Sequence, residues 1–264
     1  SGPAGNDPVR IGDENFRPLG CLLAWCIGFL DMDQWHGGAL KMVKSKSATP
    51  TRAIIFDLDG TLLDTLADIG DSVNQMLVEY GFSEHTLDDY RRFIGNGLKM
   101  LVMRALPIAG RSEEMVRVCV QRAREIYWDH WNRKTRPYRG ILELLDALEE
   151  KNIAKAVLSN KPHDFTVRYI DAYFDRWAFA VVMGQNDHFP AKPDPSAALE
   201  IARRLDIPPA GFLFVGDSAV DMKTAISAGM HAVGAGWGFR GPRELTQNGC
   251  QSLVSDPLQI LNLL

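Results

Sequence analysis

The sequence predicts an α/β fold in which a parallel sheet is interrupted, near its start, by a block of helices. Downstream of residue 140, short apolar runs alternate with stretches of helical periodicity, which is typical of βαβ units and a parallel sheet. Upstream, residues 66–135 carry helical patterns and lack the composition of a long irregular loop. Because polar residues follow several of the apolar runs, we expect a site outside the carboxyl ends of the strands.

The first strand is predicted from the apolar stretch at residues 53–55, which leads into the polar segment 56–61. An extended strand alternates its side chains between two faces, so Asp57 and Asp59 could lie on the same side. Gly60 then allows the backbone to turn sharply. Two carboxylates crowded at the end of a strand stabilise a fold poorly, but they suit a metal ion and a phosphoryl group.

The insertion is predicted to contain about four helices. Its helical patterns are the repeat of Ile69, Val73, Met76, Leu77 and Tyr80 before Gly81, the repeat of Leu98, Leu101, Val102 and Leu106 before Pro107, and the stretch 112–131. Glycine and proline after these repeats are helix-terminating residues. We expect the connections at 63–66 and 135–139 to act as hinges.

The remaining elements alternate regularly. The pattern predicts helices at 140–151, 163–174, 195–205 and 219–228, and strands at 153–158, 178–183, 211–215 and 231–235. Such an order supports a parallel sheet with its polar residues gathered at one edge.

The first pair of carboxylates has a chemical interpretation and a structural one. Asp57 could act as a nucleophile that forms an aspartyl-phosphate, since a carboxylate is ionised at neutral pH. Asp59 could hold a proton and act as general acid/base, because a neighbouring like charge raises one pKa of a pair. Mg2+ suits a site with few carboxylates and phosphate oxygens. Alternatively, both aspartates cap a polar turn after the strand.

Three later segments favour the chemical interpretation of Asp57 and Asp59 over the structural one. The motifs, in order, are Phe-Asp-Leu-Asp-Gly-Thr at 56–61, Ser-Asn at 159–160, Lys-Pro-Asp-Pro at 192–195, and Gly-Asp at 216–217 with Asp221 four residues on. Together they resemble the four motifs of the haloacid-dehalogenase-like phosphatase superfamily, over roughly residues 50–264. The resemblance implies a Rossmann-like, doubly wound parallel sheet core with an inserted α-helical cap domain. It assigns residues 51–65 and 136–264 to the core and residues 66–135 to the cap.

The resemblance also implies roles for the site residues. Asp57 is expected to be the nucleophile and Asp59 the acid/base, whose presence favours phosphoryl transfer over carbon–halogen cleavage. Ser159 and the backbone N–H groups around Asn160 would bind phosphoryl oxygens, and Lys192 would neutralise nucleophile and phosphate. Catalysis of this kind depends mostly on positioning and charge balance.

Further residues are implied as metal ligands and substrate contacts. The carboxylate of Asp57, the backbone carbonyl of Asp59, and Asp217 would bind Mg2+, with Asp221 as a further ligand or a partner through water. Thr61, Asn160 and Lys161 are expected to contact substrate, and Lys161 competes with Lys192 for the phosphate. In isolation, Ser159 and Asn160 could cap a helix, Lys192 could be a surface lysine, and Asp217 and Asp221 could cap a helix start.

The segment 91–99 of the insertion attracts attention because its Gly95-Asn96-Gly97 turn could reach over the phosphate site. The alternative is a simple turn between helices. This segment and the overall motif pattern resemble the phosphoglycolate phosphatases with a helical cap of the C1 type. Arg91, Arg92 and Lys99 could pair with a substrate carboxylate, or they could be surface charges.

The resemblance therefore implies a Mg2+-dependent phosphatase that acts on a small phosphorylated metabolite, with 2-phosphoglycolate as the best single substrate. The alternatives are related phosphatases that act on pyrophosphate, a sugar phosphate or a nucleotide. A phosphoglucomutase of the same fold fits less well, because the cap signature of that family is not found. The complete motif set argues against a non-enzymatic binding relative, and the insertion together with Asp59 argues against a phospho-acceptor receiver domain.

Bulk properties narrow the class of partners. With 29 basic and 33 acidic residues the chain is slightly acidic, so we expect no nucleic-acid partner. The cysteines at 21, 26, 119 and 250 form no metal or disulfide pattern, which fits a cytoplasmic location. We expect a monomer or a homodimer, without a membrane partner.

The first fifty residues form an N-terminal extension of unknown role. An apolar run at 19–30 follows Arg10 and Arg17, as in a signal peptide, but acidic residues lie on both sides of it. It is short for a transmembrane helix. We interpret it as an extension or a cloning-derived segment that docks on the domain, with a secretory leader as the alternative and Met42 as a possible natural start.

Overall fold

The computed structural model describes residues 50–264, so the predictions for the N-terminal extension lie outside the described residues, apart from position 50. The strands are β1 (Ala53–Phe56), β2 (Leu63–Asp64), β3 (Arg136–Pro137), β4 (Ala154–Pro162), β5 (Val181–Gln185), β6 (Phe212–Gly216), β7 (His231–Ala235) and β8 (Ser252–Val254). The α-helices are α1 (Leu66–Glu79), α2 (Leu87–Phe93), α3 (Leu98–Ala105), α4 (Glu113–His130), α5 (Ile141–Glu150), α6 (His163–Tyr173), α7 (Ser196–Leu205), α8 (Ala219–Ser227) and α9 (Pro242–Gln247). Short 3-10 helices lie at Ile108–Gly110, Pro209–Gly211 and Pro257–Leu263.

Six parallel strands form the main sheet, in the order β5-β4-β1-β6-β7-β8. From β1 the chain continues to β4 on one side, whereas from β6 it continues to β7 on the other. The two central strands β1 and β6 therefore flank a topological switch point, where a crevice opens at the carboxyl ends. This confirms the predicted doubly wound parallel sheet.

Alternating side chains of β1 pack against helices on both faces of the sheet. Ile54 and Phe56 belong to an apolar cluster with residues of α5, α6 and the inserted helices. Ala53 and Ile55 belong to a second cluster with residues of α7 and α8. Because both faces are covered, the strand is apolar throughout and its first polar side chain comes only where the strand ends.

The inserted helices α1–α4 lie between β2 and β3, as the periodicity predicts. Side chains cap the starts of two of these helices: Thr86 and Asp89 form a capping box at α2, and Ser112 accepts a hydrogen bond from the N–H of Met115 at α4. The two predicted hinge segments pair with each other, since β2 and β3 form a separate antiparallel ribbon.

Several elements differ from the prediction. Strand β4 continues to Pro162, beyond the predicted end at 158, and β2 and β3 lie in segments that the sequence predicts only as connections. The strand predicted at 178–183 starts at Val181, because residues 178–180 precede the pairing with β4. Helix α9 and strand β8 have no counterpart in the prediction, since six and three residues are too few to show a period. Within residues 50–264, no helix combines the length and the apolar character needed to cross a membrane.

Candidate active site

The predicted motif residues converge at the carboxyl edge of the three adjacent strands β4, β1 and β6. Asp57 follows β1 directly, Ser159 lies in the last part of β4, and Asp217 follows β6 directly. Parallel strands in register bring these positions to one edge of the sheet, although they are far apart along the chain. Lys192 reaches the same place from the turn before α7.

Asp57 is a buried carboxylate beside a buried lysine. It is 8% exposed, and its Oδ1 lies 2.9 Å from Lys192 Nζ. Burial raises the pKa of Asp57 to about 6; the Lys192 ammonium opposes this shift and the negative charge of Asp221 adds to it. The lysine therefore helps to keep Asp57 ionised in a setting that would otherwise favour its protonated form.

Lys192 lies among three oxygen-bearing groups. Its ammonium contacts Asp57, donates to Asp221 Oδ1 at 2.6 Å, and donates to the backbone carbonyl of Leu158 at 2.9 Å. Burial alone would lower the pKa of Lys192, but the carboxylates of Asp221 and Asp57 hold it above its ordinary value. The surface-lysine alternative is wrong, since only 5% of this residue is exposed.

Asp59 contacts a different lysine. Its Oδ1 accepts hydrogen bonds from Thr65 Oγ1 at 2.7 Å and from Lys161 Nζ at 3.0 Å, and its Oδ2 lies 3.2 Å from the same ammonium. Lys161 also donates to Tyr127 Oη at 2.9 Å. Of the two lysines that compete for the phosphate role, Lys192 therefore pairs with Asp57 and Lys161 pairs with Asp59.

Asn160 uses its side chain to hold neighbouring backbone. Its Nδ2 donates to the carbonyls of Gly95 and Lys192, both at 3.0 Å, and its Oδ1 accepts the N–H of Lys192 at 2.8 Å. Ser159 is buried, and its hydroxyl accepts the N–H of Lys161 at 3.3 Å. Asn160 thus fixes the Lys192 turn and joins the sheet edge to the Gly95 turn of the insertion.

Three buried carboxylates lie close enough to share a cation. Oxygens of Asp57, Asp217 and Asp221 all lie within 4.8 Å of one another. Burial raises the pKa of Asp217 well above its usual range, and the charges of Asp221 and Asp57 add to this shift. An all-oxygen donor set with excess negative charge fits a hard divalent cation such as Mg2+.

Asp221 differs from the other two because both of its oxygens already have partners. Oδ1 accepts from Lys192, and Oδ2 accepts from the N–H and the hydroxyl of Ser218 at 3.1 and 2.6 Å. Asp217 has one oxygen engaged, by the N–H of Phe239 at 2.6 Å. Asp57 and Asp217 are therefore the better-placed direct ligands, and Asp221 fits the role of a partner behind them.

Glycine makes room for Asp217. A Cβ on Gly60, which has φ +87°, would lie 2.2 Å from Asp217 Oδ2, and one on Gly238 would lie 2.2 Å from Asp217 Cβ. Gly60 thus permits both the turn after Asp59 and the close approach of Asp217, which follows β6. The first motif needs this glycine for a tertiary reason as well as for the turn.

The pocket between the sheet edge and the insertion has a polar floor and an apolar wall. The predicted residues that line it are Asp57, Asp59, Gly95, Gly97, Ser159, Asn160, Lys161, Lys192 and Asp217. The wall includes Ile69, Val73, Leu98, Leu101, Ala123 and Phe165. The predicted stripes of the insertion thus pack its helices together and also face the pocket.

Several predicted residues do not line this pocket. Thr61 is fully buried, and its hydroxyl has no hydrogen-bond partner in the described part of the chain. Asn96 accepts a hydrogen bond from Arg104 at 2.8 Å instead of lining the pocket. The cations Arg91, Arg92 and Lys99 are exposed. Direct contact of these residues with substrate has no support in the geometry.

The sequence reasoning missed several residues of the site, among them Tyr127, Phe239 and Arg240. Tyr127 lies in α4, within the stretch 112–131 that the sequence analysis predicts only to be helical. Phe239 and Arg240 lie in the loop after β7, where Phe239 binds Asp217 and Arg240 lines the pocket. A usable signal existed for this loop, because it is rich in glycine and follows a predicted strand at the edge where ligands bind.

Comparison with known proteins gives a consistent set of relatives. A family model described as haloacid dehalogenase-like hydrolase matches residues 54–235. A phosphoglycolate phosphatase from Nitrosospira multiformis is 34% identical over 217 residues, which cover 78% of this chain and 92% of the relative. Another from Pseudomonas putida is 32% identical over 220 residues, which cover 81% of this chain and 79% of the relative.

Solved structures share the same fold. The crystal structure of a predicted phosphoglycolate phosphatase from Haemophilus somnus superposes with a TM-score of 0.76 at 27% identity, over 81% of this chain and 97% of that chain. Similarity of both sequence and fold therefore extends over the sheet and the insertion together.

Proposed function

This chain belongs to the haloacid dehalogenase-like hydrolase family and is a phosphatase, and we propose that it hydrolyses 2-phosphoglycolate in a Mg2+-dependent reaction through a phosphorylated Asp57. The observation that carries the proposal is the buried Asp57 carboxylate, held 2.9 Å from Lys192 among further carboxylates at the switch point of the sheet. A nucleophile here is shielded from water yet kept anionic.

The donor set supports Mg2+ as the cofactor. Asp57 and Asp217 would hold the ion, together with the backbone carbonyl of Asp59 that the family resemblance implies, and Asp221 would support them from behind. When bound, Mg2+ supplies positive charge that offsets the carboxylates and the oxygens of a phosphoryl group. The buried charges of the cluster need such compensation, because Lys192 pairs with only two of the three carboxylates, Asp57 and Asp221.

In the first chemical step, an Asp57 oxygen forms a bond to phosphorus while the bond from phosphorus to the leaving oxygen breaks. Asp59, in its protonated form, donates its proton to that leaving oxygen, so that glycolate departs as an alcohol. Lys192 and the N–H groups around Asn160 offset charge on the phosphoryl oxygens.

In the second step, Asp59 accepts a proton from a water molecule as that water attacks phosphorus. The bond from phosphorus to Asp57 breaks, phosphate departs, and Asp57 returns as a free carboxylate. Asp59 is suited to both roles because Thr65 and Lys161 fix its carboxyl group beside the pocket.

The inserted helices are proposed to act as a cap. We assign residues 51–65 and 136–264 to the core and 66–135 to the cap, with the β2–β3 ribbon as the hinge. The hydrogen bond from Asn160 to Gly95 ties the insertion to the core at the pocket and supports this role. A closed cap would exclude water during the first step and reopen to release product.

The choice of 2-phosphoglycolate rests on the phosphoglycolate phosphatases among the relatives. A sugar phosphate, a nucleotide or pyrophosphate remains the alternative substrate, because substrate selection depends on a few cap side chains. Cytoplasmic location and a monomeric or homodimeric state stay predictions from the sequence.

The test is phosphate release from a panel of 2-phosphoglycolate, sugar phosphates, nucleotides and pyrophosphate, each with Mg2+ and with EDTA. We expect release from 2-phosphoglycolate to exceed that from every other compound and to require Mg2+. Asp57→Asn protein, purified in parallel, measures any contaminating phosphatase. A different preferred compound would contradict the substrate, and no release from folded protein with Mg2+ bound would favour a binding role.

A further inference from the structure

Arg240 lies in the loop between β7 and α9, at the boundary of the sheet edge and the insertion. It follows Phe239, whose N–H binds Asp217, and it lines the same pocket as Asp57. Its side chain is 15% exposed. A cation is thus placed in the pocket by the core, on the side where the insertion closes over it.

Two of the three nitrogens of its guanidinium have acceptors. Nη2 donates to the carbonyls of Ile94 and Arg92 at 2.8 and 3.2 Å, and Nε lies 3.4 Å from a carboxylate oxygen of Glu244. Nη1 is buried and has no partner among residues 50–264. A buried donor without an acceptor is costly, so an acceptor from outside this part of the chain is expected there.

The other two cations lining the pocket each contact several acceptor groups of the described residues. An ammonium group has three donors. Lys192 Nζ donates to Asp221 and to the carbonyl of Leu158 and forms an ion pair with Asp57. Lys161 Nζ donates to both oxygens of Asp59 and to the hydroxyl of Tyr127. Among the pocket-lining cations that the structure describes, Arg240 is therefore the one with a side-chain nitrogen that has no acceptor.

We propose that Nη1 of Arg240 binds the carboxylate of the leaving group and thereby selects phosphate esters of small hydroxy acids. Guanidinium is suited to a carboxylate, since it presents several donors in one plane. The remainder of the wall is largely apolar, so a second anionic group has few other partners in the pocket. This inference rests on the proposed function, for which it supplies the residue that recognises the acid.

The first test compares two esters that differ only in this group, 2-phosphoglycolate and 2-hydroxyethyl phosphate. Arg240→Gln should lower kcat/KM for 2-phosphoglycolate by about tenfold to a hundredfold more than for 2-hydroxyethyl phosphate, since one hydrogen bond to a charged group is lost. An equal loss of kcat/KM on both esters would overturn the proposal. Arg240 would then only fix the segment of the insertion whose Arg92 and Ile94 carbonyls it binds.

Arg104→Gln is the matched control. Arg104, in α3, binds the same 92–96 segment of the insertion that Arg240 binds, through the carbonyl of Phe93 at 2.7 Å and Asn96 Oδ1 at 2.8 Å, but it does not line the pocket. Any effect of this variant should therefore be equal on the two esters. A selective effect of Arg104→Gln, as large as that of Arg240→Gln, would also overturn the proposal.

A binding measurement separates this inference from the proposed function. Calorimetry with phosphonoacetate and with ethylphosphonate needs no hydrolysis, and the two probes differ in the carboxylate. Wild-type protein with Mg2+ should prefer phosphonoacetate, and Arg240→Gln should lose that preference. If the wild type hydrolyses another ester best but keeps the preference, the proposed substrate fails and Arg240 stands; if it shows no preference, Arg240 fails.

Discussion

Asp57 combines two properties that ordinarily exclude each other, burial and negative charge. Its pKa rises to about 6 because it is buried, and the approach of Lys192 limits that rise. Burying a charged carboxylate is unfavourable, and the ion pairs of Lys192 with Asp57 and Asp221 offset this desolvation free energy. A buried anion with fixed partners needs little reorganisation when it attacks, which is the benefit of a preorganised site.

Replacing Asp57 with Asn should abolish turnover and leave the fold intact. The amide keeps the shape but is no nucleophile, so kcat should fall by about a thousandfold or more. Phosphate release measures the loss, and circular dichroism with thermal melting checks the fold. Asp171→Asn, an exposed change on α6, is the control. Turnover like that of the wild type would remove Asp57 as the nucleophile.

Replacing Asp59 with Asn should slow both chemical steps, since the variant can neither donate nor accept the proton. With p-nitrophenyl phosphate the leaving group needs no proton, so the first step should recover while the second stays slow. Stopped-flow measurements should then show a burst of nitrophenol close to one equivalent, followed by slow release. A steady-state rate equal to that of the wild type, without a burst, would contradict the acid/base role.

Helix α4 connects the insertion through Lys161 to Asp59, the proposed acid/base residue. Its Tyr127 hydroxyl accepts from Lys161 at 2.9 Å and lies 2.6 Å from the hydroxyl of Tyr169, while Lys161 Nζ sits 4.7 Å above the Tyr127 ring. Lys161 in turn contacts Asp59. The position of α4 therefore influences how the Asp59 carboxyl group is held.

Tyr127→Phe should lower kcat for 2-phosphoglycolate by about tenfold, the value of one hydrogen bond to a charged group. The rate with p-nitrophenyl phosphate should change less in the first step, because that step needs no proton from Asp59. Tyr173→Phe is the control, since Tyr173 donates to the carbonyl of Thr135 and does not line the pocket. If Tyr127→Phe slowed 2-phosphoglycolate turnover and the first step with p-nitrophenyl phosphate equally, the result would contradict this role and indicate general damage to the insertion.

Asp68 at the start of α1 fastens the two connections of the insertion to each other. It is 2% exposed and accepts hydrogen bonds from the N–H groups of Lys134 and Thr135 and from the Thr135 hydroxyl, all at 2.8 to 2.9 Å. The β2–β3 ribbon lies beside this contact. The predicted hinge is thus held by a buried carboxylate as well as by strand pairing.

Asp68→Ala should lower the free energy of unfolding by about 3 kcal/mol, because it leaves several buried donors without an acceptor. Asp71→Ala is the matched control on the same helix: Asp71 forms only an exposed ion pair with Lys134, and its loss should cost about 0.5 kcal/mol or less. Urea denaturation measures both values. Equal effects of the two variants would contradict the role of Asp68.

The molecule as a whole places its charged cluster where the two directions of winding meet. The carboxylates after β1 and β6 come together only because these strands are neighbours in the sheet. Unfolding separates them, so a cation held between them binds the native state and stabilises it by mass action. Stability should therefore depend on the metal.

Adding Mg2+ should raise the melting temperature, with a gain of about 2.7 kcal/mol in stability when Mg2+ reaches a hundred times its Kd. Asp217→Asn should lose this rise without losing stability in EDTA, because the amide still accepts from Phe239 and a repelling charge is gone. Asp171→Asn should keep it. A full Mg2+ effect in Asp217→Asn would exclude Asp217 as a ligand.

Much of the fold follows from local patterns that persist in the folded chain. The stripe of Ile69, Val73 and Met76 predicted α1, and the alternation after residue 140 predicted the parallel sheet. The prediction placed the start of β5 too early and omitted β8, and both errors have the same reason. Short strands at the edge of a sheet are defined by their pairing partners, which the local sequence does not contain.

By itself, the sequence determined the class of fold, the family, and the four groups Asp57, Asp59, Lys192 and Asp217 that carry charge at the strand ends. These follow from periodicity and from short motifs, which are local properties. Only the tertiary structure decided which lysine faces which aspartate, that Tyr127 reaches Lys161, and that Arg240 keeps an unpaired donor. Such facts depend on distances between segments far apart in the chain, and packing sets those distances.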